Sequence, residues 1–89
     1  MEALPGKREE VKAAYASASP IFRKESGCQE FEVFESIEHP GHYVMMERWA
    51  NQAALDGHRN SMDAKGLLVK FAQLRRLTYR ERMEAGSIE

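Results

Sequence analysis

Two side chains near the middle of the sequence could carry out chemistry together. Trp49 comes before a short polar segment, and His58 follows that segment in a stretch of helix-forming residues. A neutral imidazole can take a proton from a phenol or quinol, or bind haem iron, because it titrates near neutral pH. An indole ring can form the wall of a pocket for an aromatic molecule. Each residue also has a plainer interpretation, because Trp49 can simply fill a core and His58 can be a hydrogen-bonded helix residue at the surface.

Three residues close to Trp49 could belong to the same site. Side chains alternate along a strand, so Tyr43 and Met45 share a face with Trp49. They would line a cavity or fill the core, and packing in the core is the simpler interpretation. Asn51 could contact a substrate, but asparagine directly before a helix is typical of an N-cap, which is the interpretation that the sequence favours.

Other features argue against several classes of function. His39 and His42 flank a turn without an acidic or cysteine partner at a metal-binding spacing, so we predict no metal site. Cys28 is the only cysteine, which excludes an intrachain disulfide and fits a reducing compartment. No apolar stretch is long enough for a signal peptide or a membrane span, and a net charge of −1 gives little reason to expect a nucleic-acid partner. We therefore expect a cytoplasmic protein that binds neither membranes nor nucleic acids.

The length of 89 residues suits a single domain, 1–89. A domain of this size buries only about 60–65% of the surface of its unfolded chain, so a partner surface would help to stabilise it by burying more. The apolar pattern predicts an α+β domain in the order helix, strand, strand, helix, strand. The predicted elements are a helix from Arg8 to Ala18 that kinks or restarts at Ser19-Pro20, a strand from Cys28 to Glu38, a turn from His39 to His42, a strand from Tyr43 to Trp49, helices from Gln52 to Arg59 and after Ser61, and a strand from Arg76 to Met83.

Apolar residues lie on both faces of the first long strand. Phe31, Val33 and Ile37 point one way, and Phe34 adds apolar area among the glutamates on the other side. The following strand, Tyr43 to Trp49, has apolar residues on both faces as well. Strands of this kind are covered on both sides.

A resemblance to a known family covers nearly the whole chain. Its strongest part is the segment from Gly41 to Ser61, GHYVMMERWANQAALDGHRNS, which closely resembles the centre of antibiotic-biosynthesis-monooxygenase domains, where a strand ending in Glu-Arg-Trp leads into a helix with a histidine. Gly27-Cys28 and Pro5-Gly6-Lys7 stand where that family has similar residues. The resemblance implies a ferredoxin-like fold, with a four-stranded antiparallel sheet and helices on one face. It also implies a homodimer, a dimeric α/β barrel in which the other face packs against the sheet of a second subunit.

The first strand of that fold is nearly absent here. The family begins with a strand of several residues before its Pro-Gly turn, and only Met1 to Leu4 precede the turn in this chain. In the family's sheet that strand lies centrally, between the third and the fourth, so its loss would leave unpaired strand edges. Three explanations stay open: the sequence starts too late, a partner completes a remnant strand, or the sheet is rearranged.

The resemblance further implies a monooxygenase that needs no metal or other cofactor and acts on a quinol or polyphenolic aromatic small molecule. Trp49 and Tyr43 would be walls of its pocket and His58 its base, with Met45 and Asn51 in contact with the substrate. In the haem-degrading branch of the family His58 would bind iron, but the asparagine that this branch carries on its first strand has no counterpart here. The alternative is a binding or isomerising module that uses the same pocket on the same dimeric fold.

Overall fold

A computed structural model describes residues 1–78 of the chain. Its elements are β1 (Glu2–Ala3), α1 (Arg8–Arg23), β2 (Cys28–Glu35), β3 (Tyr43–Trp49), α2 (Gln52–Ala64), α3 (Leu67–Ala72) and β4 (Arg75–Arg76). The predicted last strand begins about where expected, but Leu77 and Thr78 are not part of it. The rest of the prediction, to Met83, lies outside the described residues. No helix within the described residues has the length and apolar character needed to span a bilayer.

The hairpin of β2 and β3 forms the centre of the fold. The two strands are antiparallel, with Val33 opposite Met45, and the turn between them closes at Gly41, whose φ is +86°. Glycine adopts this left-handed conformation without the steric cost that a side chain brings, so the predicted hairpin turn is confirmed. β2 ends at Glu35, before the predicted Glu38. Ile37 is therefore exposed in the turn region, and its predicted place on the strand face of Phe31 and Val33 is wrong.

The first strand is present as a remnant of two residues in a central position. β1 pairs antiparallel with β4, and on its other side Glu2 forms a bridge with His42, next to the start of β3. Three hydrogen bonds hold that side: from Ala3 N to Gly41 O at 2.8 Å, from Tyr43 N to Met1 O at 2.8 Å, and from the Met1 ammonium to Tyr43 O at 2.9 Å. The remnant strand is present and the sheet is not rearranged; completion of this strand by a partner stays a prediction.

The first helix is longer than the sequence predicts. α1 runs without interruption through Pro20, which lies inside the helix, so the predicted restart is wrong. A proline inside a helix removes one hydrogen bond, here to the carbonyl of Ala16. Both Pro20 and Ala16 are exposed, so water can satisfy the carbonyl that lost its partner.

The second helical segment begins as predicted and breaks elsewhere. The Asn51 side chain accepts a hydrogen bond from Ala54 N at 2.9 Å, which confirms the N-cap. The helix continues through Ser61 to Ala64, and the break falls at Gly66, the residue before α3. Ser61 is therefore not the cap of a second helix.

The helices cover one face of the hairpin and leave the other open. Residues of α1, β2, β3, α3 and the segment after α3 share one core, which consists of Val11, Ala14, Tyr15, Ala18, Phe22, Phe31, Tyr43, Phe71 and Leu74. On the opposite side three apolar side chains, which we call the outer face, are about half exposed or more: Phe34 (48%), Val44 (61%) and Met46 (50%). The two-faced pattern of the strands is thus confirmed on the helix side, and no residue of the described part, 1–78, covers the outer face.

Candidate functional site

His58 lies in the interior, between α2 and the end of the hairpin, and is only 3% exposed. Its ring stacks on the indole of Trp49, with the ring centres 4.6 Å apart and an angle of 29° between the planes. Phe22 meets the imidazole edge-on at 4.7 Å, and Phe31 lies 6.0 Å away. The structure therefore brings together the two residues that the sequence singles out, and it places His58 in the core rather than at the surface.

Two glutamates complete the surroundings of this histidine. Nδ1 of His58 lies 2.7 Å from Oε2 of Glu25, in the loop between α1 and β2. On the other side of the ring, Nε2 lies 3.9 Å from Oε1 of Glu47, and the same oxygen accepts a hydrogen bond from Nε1 of Trp49 at 3.0 Å. We call these four residues, His58, Trp49, Glu25 and Glu47, the His58 cluster.

One carboxylate oxygen of the cluster is left without a partner. Oε1 of Glu25 is buried and has no hydrogen-bond partner within the described residues. A buried acceptor without a partner costs about 1–3 kcal/mol. The cluster is therefore not an arrangement that stability alone would favour.

The cluster lies beside a cleft of about 480 Å³ between the loop that precedes β2 and helix α2. Asn51 lies at its lip, and Glu25, His58 and Ser61 contribute to its walls. The Oδ1 atom of Asn51 is engaged in the cap of α2, so the cap interpretation is confirmed, while a contact with substrate stays a prediction.

Tyr43 and Met45 share the helix-facing side of β3 with Trp49, as predicted, but Tyr43 lies at the opposite end of the strand from Trp49. Tyr43 is buried, and its hydroxyl donates to the carbonyl of Arg8 at 3.2 Å. Burial raises the pKa of the Tyr43 phenol, with a further contribution from the charge of Glu35. Met45 is half-buried and packs against the core. Tyr43 contributes to a separate cleft of about 370 Å³ between α1 and the sheet.

An ion pair closes the edge of this second cleft. Arg8 holds Glu35 with two hydrogen bonds, Nε to Oε2 at 2.7 Å and Nη2 to Oε1 at 3.0 Å, and Gly41 N donates to Oε2 at 3.1 Å. The hydrogen bond from Arg8, followed by that from the backbone, lowers the pKa of Glu35 to about 2. The carboxylate therefore remains charged at every pH at which an enzyme of this kind would work, and it ties the start of α1 to the hairpin turn.

Comparison with known proteins adds the decisive observation. The family model described as antibiotic biosynthesis monooxygenase matches residues 1–68. The chain belongs to this family. Over 70 residues it is 30% identical to the Bacillus subtilis (strain 168) protein YcnE, which bears the provisional name of a monooxygenase; the match covers 79% of this chain and 74% of YcnE.

Solved structures agree with the antibiotic biosynthesis monooxygenase fold. The Mycobacterium tuberculosis protein Rv0793 superimposes with a TM-score of 0.75 at 26% sequence identity. The match covers 96% of this chain and 91% of the Rv0793 chain. Pseudomonas aeruginosa PA3566 superimposes with a TM-score of 0.76 at 22% sequence identity. The match covers 92% of this chain and 88% of the PA3566 chain. The predicted ferredoxin-like α+β fold is thus confirmed.

A haem does not fit the surroundings of His58 in this antibiotic biosynthesis monooxygenase domain. A haem ligand needs an imidazole whose coordinating nitrogen faces a broad apolar cleft. Here the imidazole is almost fully buried, Trp49 covers one of its faces, and a glutamate lies near each ring nitrogen. We therefore assign no step to an iron-bound group.

The hairpin histidines contribute nothing comparable. The rings of His39 and His42 lie 5.6 Å apart, and Nε2 of His42 is 3.5 Å from Oε2 of Glu2, a partner that spacing along the chain does not reveal. Within residues 1–78 no group of three or more histidine, cysteine or acidic side chains is arranged to hold a metal ion.

Sequence reasoning missed the two glutamates of the His58 cluster. A signal for Glu47 was available, because it shares a strand face with Trp49. Glu25 gave no such signal, because it lies in a loop far from His58 along the chain and meets it only through the tertiary fold.

Proposed function

We propose that this chain is a monooxygenase without a metal or organic cofactor and that its substrate is a quinol or polyphenolic aromatic small molecule. In the reaction, one oxygen atom of O2 replaces a hydrogen on the ring carbon, the other oxygen leaves as water, and the product is a quinone. The hydroxyarene supplies all four electrons, so the protein has to remove the phenolic proton and keep the site dry.

The observation that carries this proposal is the environment of His58. Its imidazole is buried against Trp49 and Phe22, which excludes water. Two carboxylates flank the ring, and they stabilise the imidazolium that forms when the imidazole takes a proton, because opposite charges attract more strongly where water is excluded. A base in this setting can ionise a phenol and so make the ring electron-rich enough to react with O2.

Distance along β3 indicates where the substrate lies. Residues in a strand are about 3.3 Å apart, so Tyr43 and Trp49 lie about 20 Å from each other. A one- or two-ring substrate that reaches His58 therefore rests on Trp49, at the end of the strand where Glu47 is partly exposed. Met45 lies between the two ends, and Tyr43 becomes a wall only for an extended polycyclic substrate. Asn51, at the lip of the neighbouring cleft, is the polar contact.

Oxygen uptake in a sealed cell, with a panel of quinols and anthrones, tests this function. We expect uptake that depends on folded protein and that falls by about tenfold or more in Trp49→Phe, which keeps an aromatic ring but removes the hydrogen bond to Glu47 and part of the stacking surface. Val69→Ala is the control, because Val69 is exposed on α3, away from the site. Uptake no faster than in buffer, from folded protein, would favour the binding or isomerising module.

We also propose that the protein is a homodimer that buries the outer face. Exposed apolar side chains that form one patch are typical of an interaction surface, and Phe34, Val44 and Met46 have polar neighbours on the same face, in Glu30 and Arg48. A second copy would cover the patch and supply the surface that a domain of this size lacks. We further propose that it acts in the cytoplasm, which fits its single cysteine.

The mass in solution tests the dimer. We expect twice the 10.2 kDa of one chain for the wild type and the mass of one chain for Val44→Lys, because the change buries an unpaired charge in the interface. Ile37→Lys is the matched control: Ile37 is an apolar residue exposed outside the outer face, so the dimer should persist. A wild type that sediments as a monomer at micromolar concentration would contradict the proposal.

A further inference from the structure

The contact between His58 and Glu25 determines which ring nitrogen carries hydrogen. Nδ1 lies 2.7 Å from Oε2 of Glu25, which is hydrogen-bond distance, and an ionised carboxylate only accepts. Nδ1 must therefore be the donor. In the neutral ring the lone pair that can take a proton is then on Nε2.

Within residues 1–78 no hydrogen bond engages that second nitrogen. Its nearest acidic atom, Oε1 of Glu47, is 3.9 Å away, beyond hydrogen-bond distance, and that oxygen already accepts from Trp49. Nε2 therefore faces the partly exposed end of β3, where Trp49 and Glu47 lie, with its lone pair available.

We propose that Glu25 is a positioning residue that fixes His58 as the Nδ1–H tautomer, so that Nε2 is the atom that removes the substrate's proton. The inference rests on the proposed function. It goes further in naming the working nitrogen, the residue that selects it, and the place of the substrate hydroxyl, which must lie within hydrogen-bond reach of Nε2 at the Trp49 and Glu47 side of the ring.

The unsatisfied oxygen of Glu25 supports this role. A carboxylate with one buried oxygen unpartnered is a poor choice where only stability matters, because glutamine or an apolar residue would avoid burying a charge. A carboxylate is the better choice where an imidazole must be held in one tautomer, since it cannot donate. Glutamine can donate as well as accept, so it would allow either tautomer.

The test combines ring-nitrogen spectroscopy with oxygen uptake on the full chain. Long-range proton–nitrogen correlation spectra distinguish protonated from unprotonated ring nitrogens, and the signals of His58 are assigned by their loss in His58→Gln. At about pH 8.5, above the ordinary imidazole range, we expect protonated Nδ1 and unprotonated Nε2 in the wild type. Glu25→Gln should show both tautomers or Nε2–H alone, and its uptake rate should fall by about 100-fold, as for a misplaced reacting group.

Two further variants separate positioning from packing. Glu25→Asp keeps an acceptor-only carboxylate on a shorter side chain, so it should retain the wild-type tautomer and recover part of the rate. Glu38→Gln is the control: it makes the same chemical change at a glutamate exposed in the hairpin turn and should alter neither spectrum nor rate.

The ring-nitrogen spectra and the oxygen uptake test different claims. Nε2–H in the wild type, or full activity in a folded Glu25→Gln, overturns the positioning role of Glu25. The expected wild-type tautomer in a protein that takes up no oxygen supports the pairing of Glu25 with His58 and overturns the oxygenase. If Glu25→Gln does not fold, the wild-type spectrum and the Asp variant still decide the matter.

Discussion

Replacement of His58 by alanine is expected to lower the free energy of unfolding by about 3–5 kcal/mol, because it leaves the Glu25 carboxylate in the interior without its partner. The contact is short, at 2.7 Å, and the two side chains are 3% and 19% exposed, so the carboxylate is largely shielded from water. The change also opens a cavity against Phe22 and Trp49. Since a small domain is stable by about 5–15 kcal/mol, the loss is a large part of the total.

Urea unfolding of the wild type and His58→Ala measures this loss. His42→Ala is the matched control, because it removes a histidine that is mostly exposed and contacts Glu2 at 3.5 Å, and its effect should stay within about 0.5 kcal/mol. A His58→Ala protein as stable as the control would mean that Glu25 and His58 do not form the buried pair described above.

His58→Gln separates chemistry from stability. Glutamine can donate a hydrogen bond to Glu25 and fills much of the same space, but it cannot take a proton. We expect a folded protein whose oxygen uptake is lower by about 10²–10⁴-fold, the usual contribution of a general base. Uptake at the wild-type rate would remove His58 from the mechanism and leave it a structural role.

Gly27→Ala is expected to destabilise the fold by about 2–5 kcal/mol, as the sum of backbone strain and overpacking. Gly27 has a φ of +80°, and a Cβ placed on it would lie 2.4 Å from Cβ of Ala54 in α2. Neither backbone can give way easily, because Ala50 N donates to Gly27 O at 2.8 Å and Ala54 N is held by the Asn51 cap. The loop that presents Glu25 to His58 would have to move, so oxygen uptake should fall too.

Gly6 provides the matched control for this change. Its φ is +75°, nearly the same, but a Cβ there would meet nothing within 4 Å. Gly6→Ala should therefore cost only the backbone strain, about 1–2 kcal/mol. The double variant Gly27→Ala/Ala54→Gly removes the clash and should recover the difference between the two single variants, less about 1 kcal/mol for a glycine within α2. A Gly27→Ala protein no less stable than Gly6→Ala would show that the loop does not pack on α2 as described.

The parts of the fold that the sequence predicts correctly depend on local signals. The strand from Tyr43 to Trp49 follows from alternation, the hairpin turn from Pro40-Gly41, and the start of α2 from Asn51, which needs only its own first turn as partner. The errors arise where tertiary structure overrides a local rule. Pro20 predicts a break, but the helix continues because its buried face carries Ala18 and Phe22 into the core.

The candidate site is predictable only in part, for the same reason. Trp49 and His58 could be singled out by residue type and by their positions on neighbouring elements. Glu25 could not, because nothing in its local sequence indicates that the loop before β2 folds over α2. The separation of Tyr43 from His58 was not predicted either. Alternation along a strand shows which face a side chain is on, but not how far apart two residues on that face lie.

Isotopically labelled dioxygen tests the central claim most directly. Folded wild-type protein is incubated, in the presence of a metal chelator, with a hydroxyarene that supports oxygen uptake, and the mass of the product is measured. We expect a product that carries one labelled oxygen atom per turnover, labelled water as the second product, and a rate lower by about 10²–10⁴-fold in His58→Gln. A product without label, or incorporation that is unchanged in His58→Gln, would contradict a monooxygenase that uses His58 as its base.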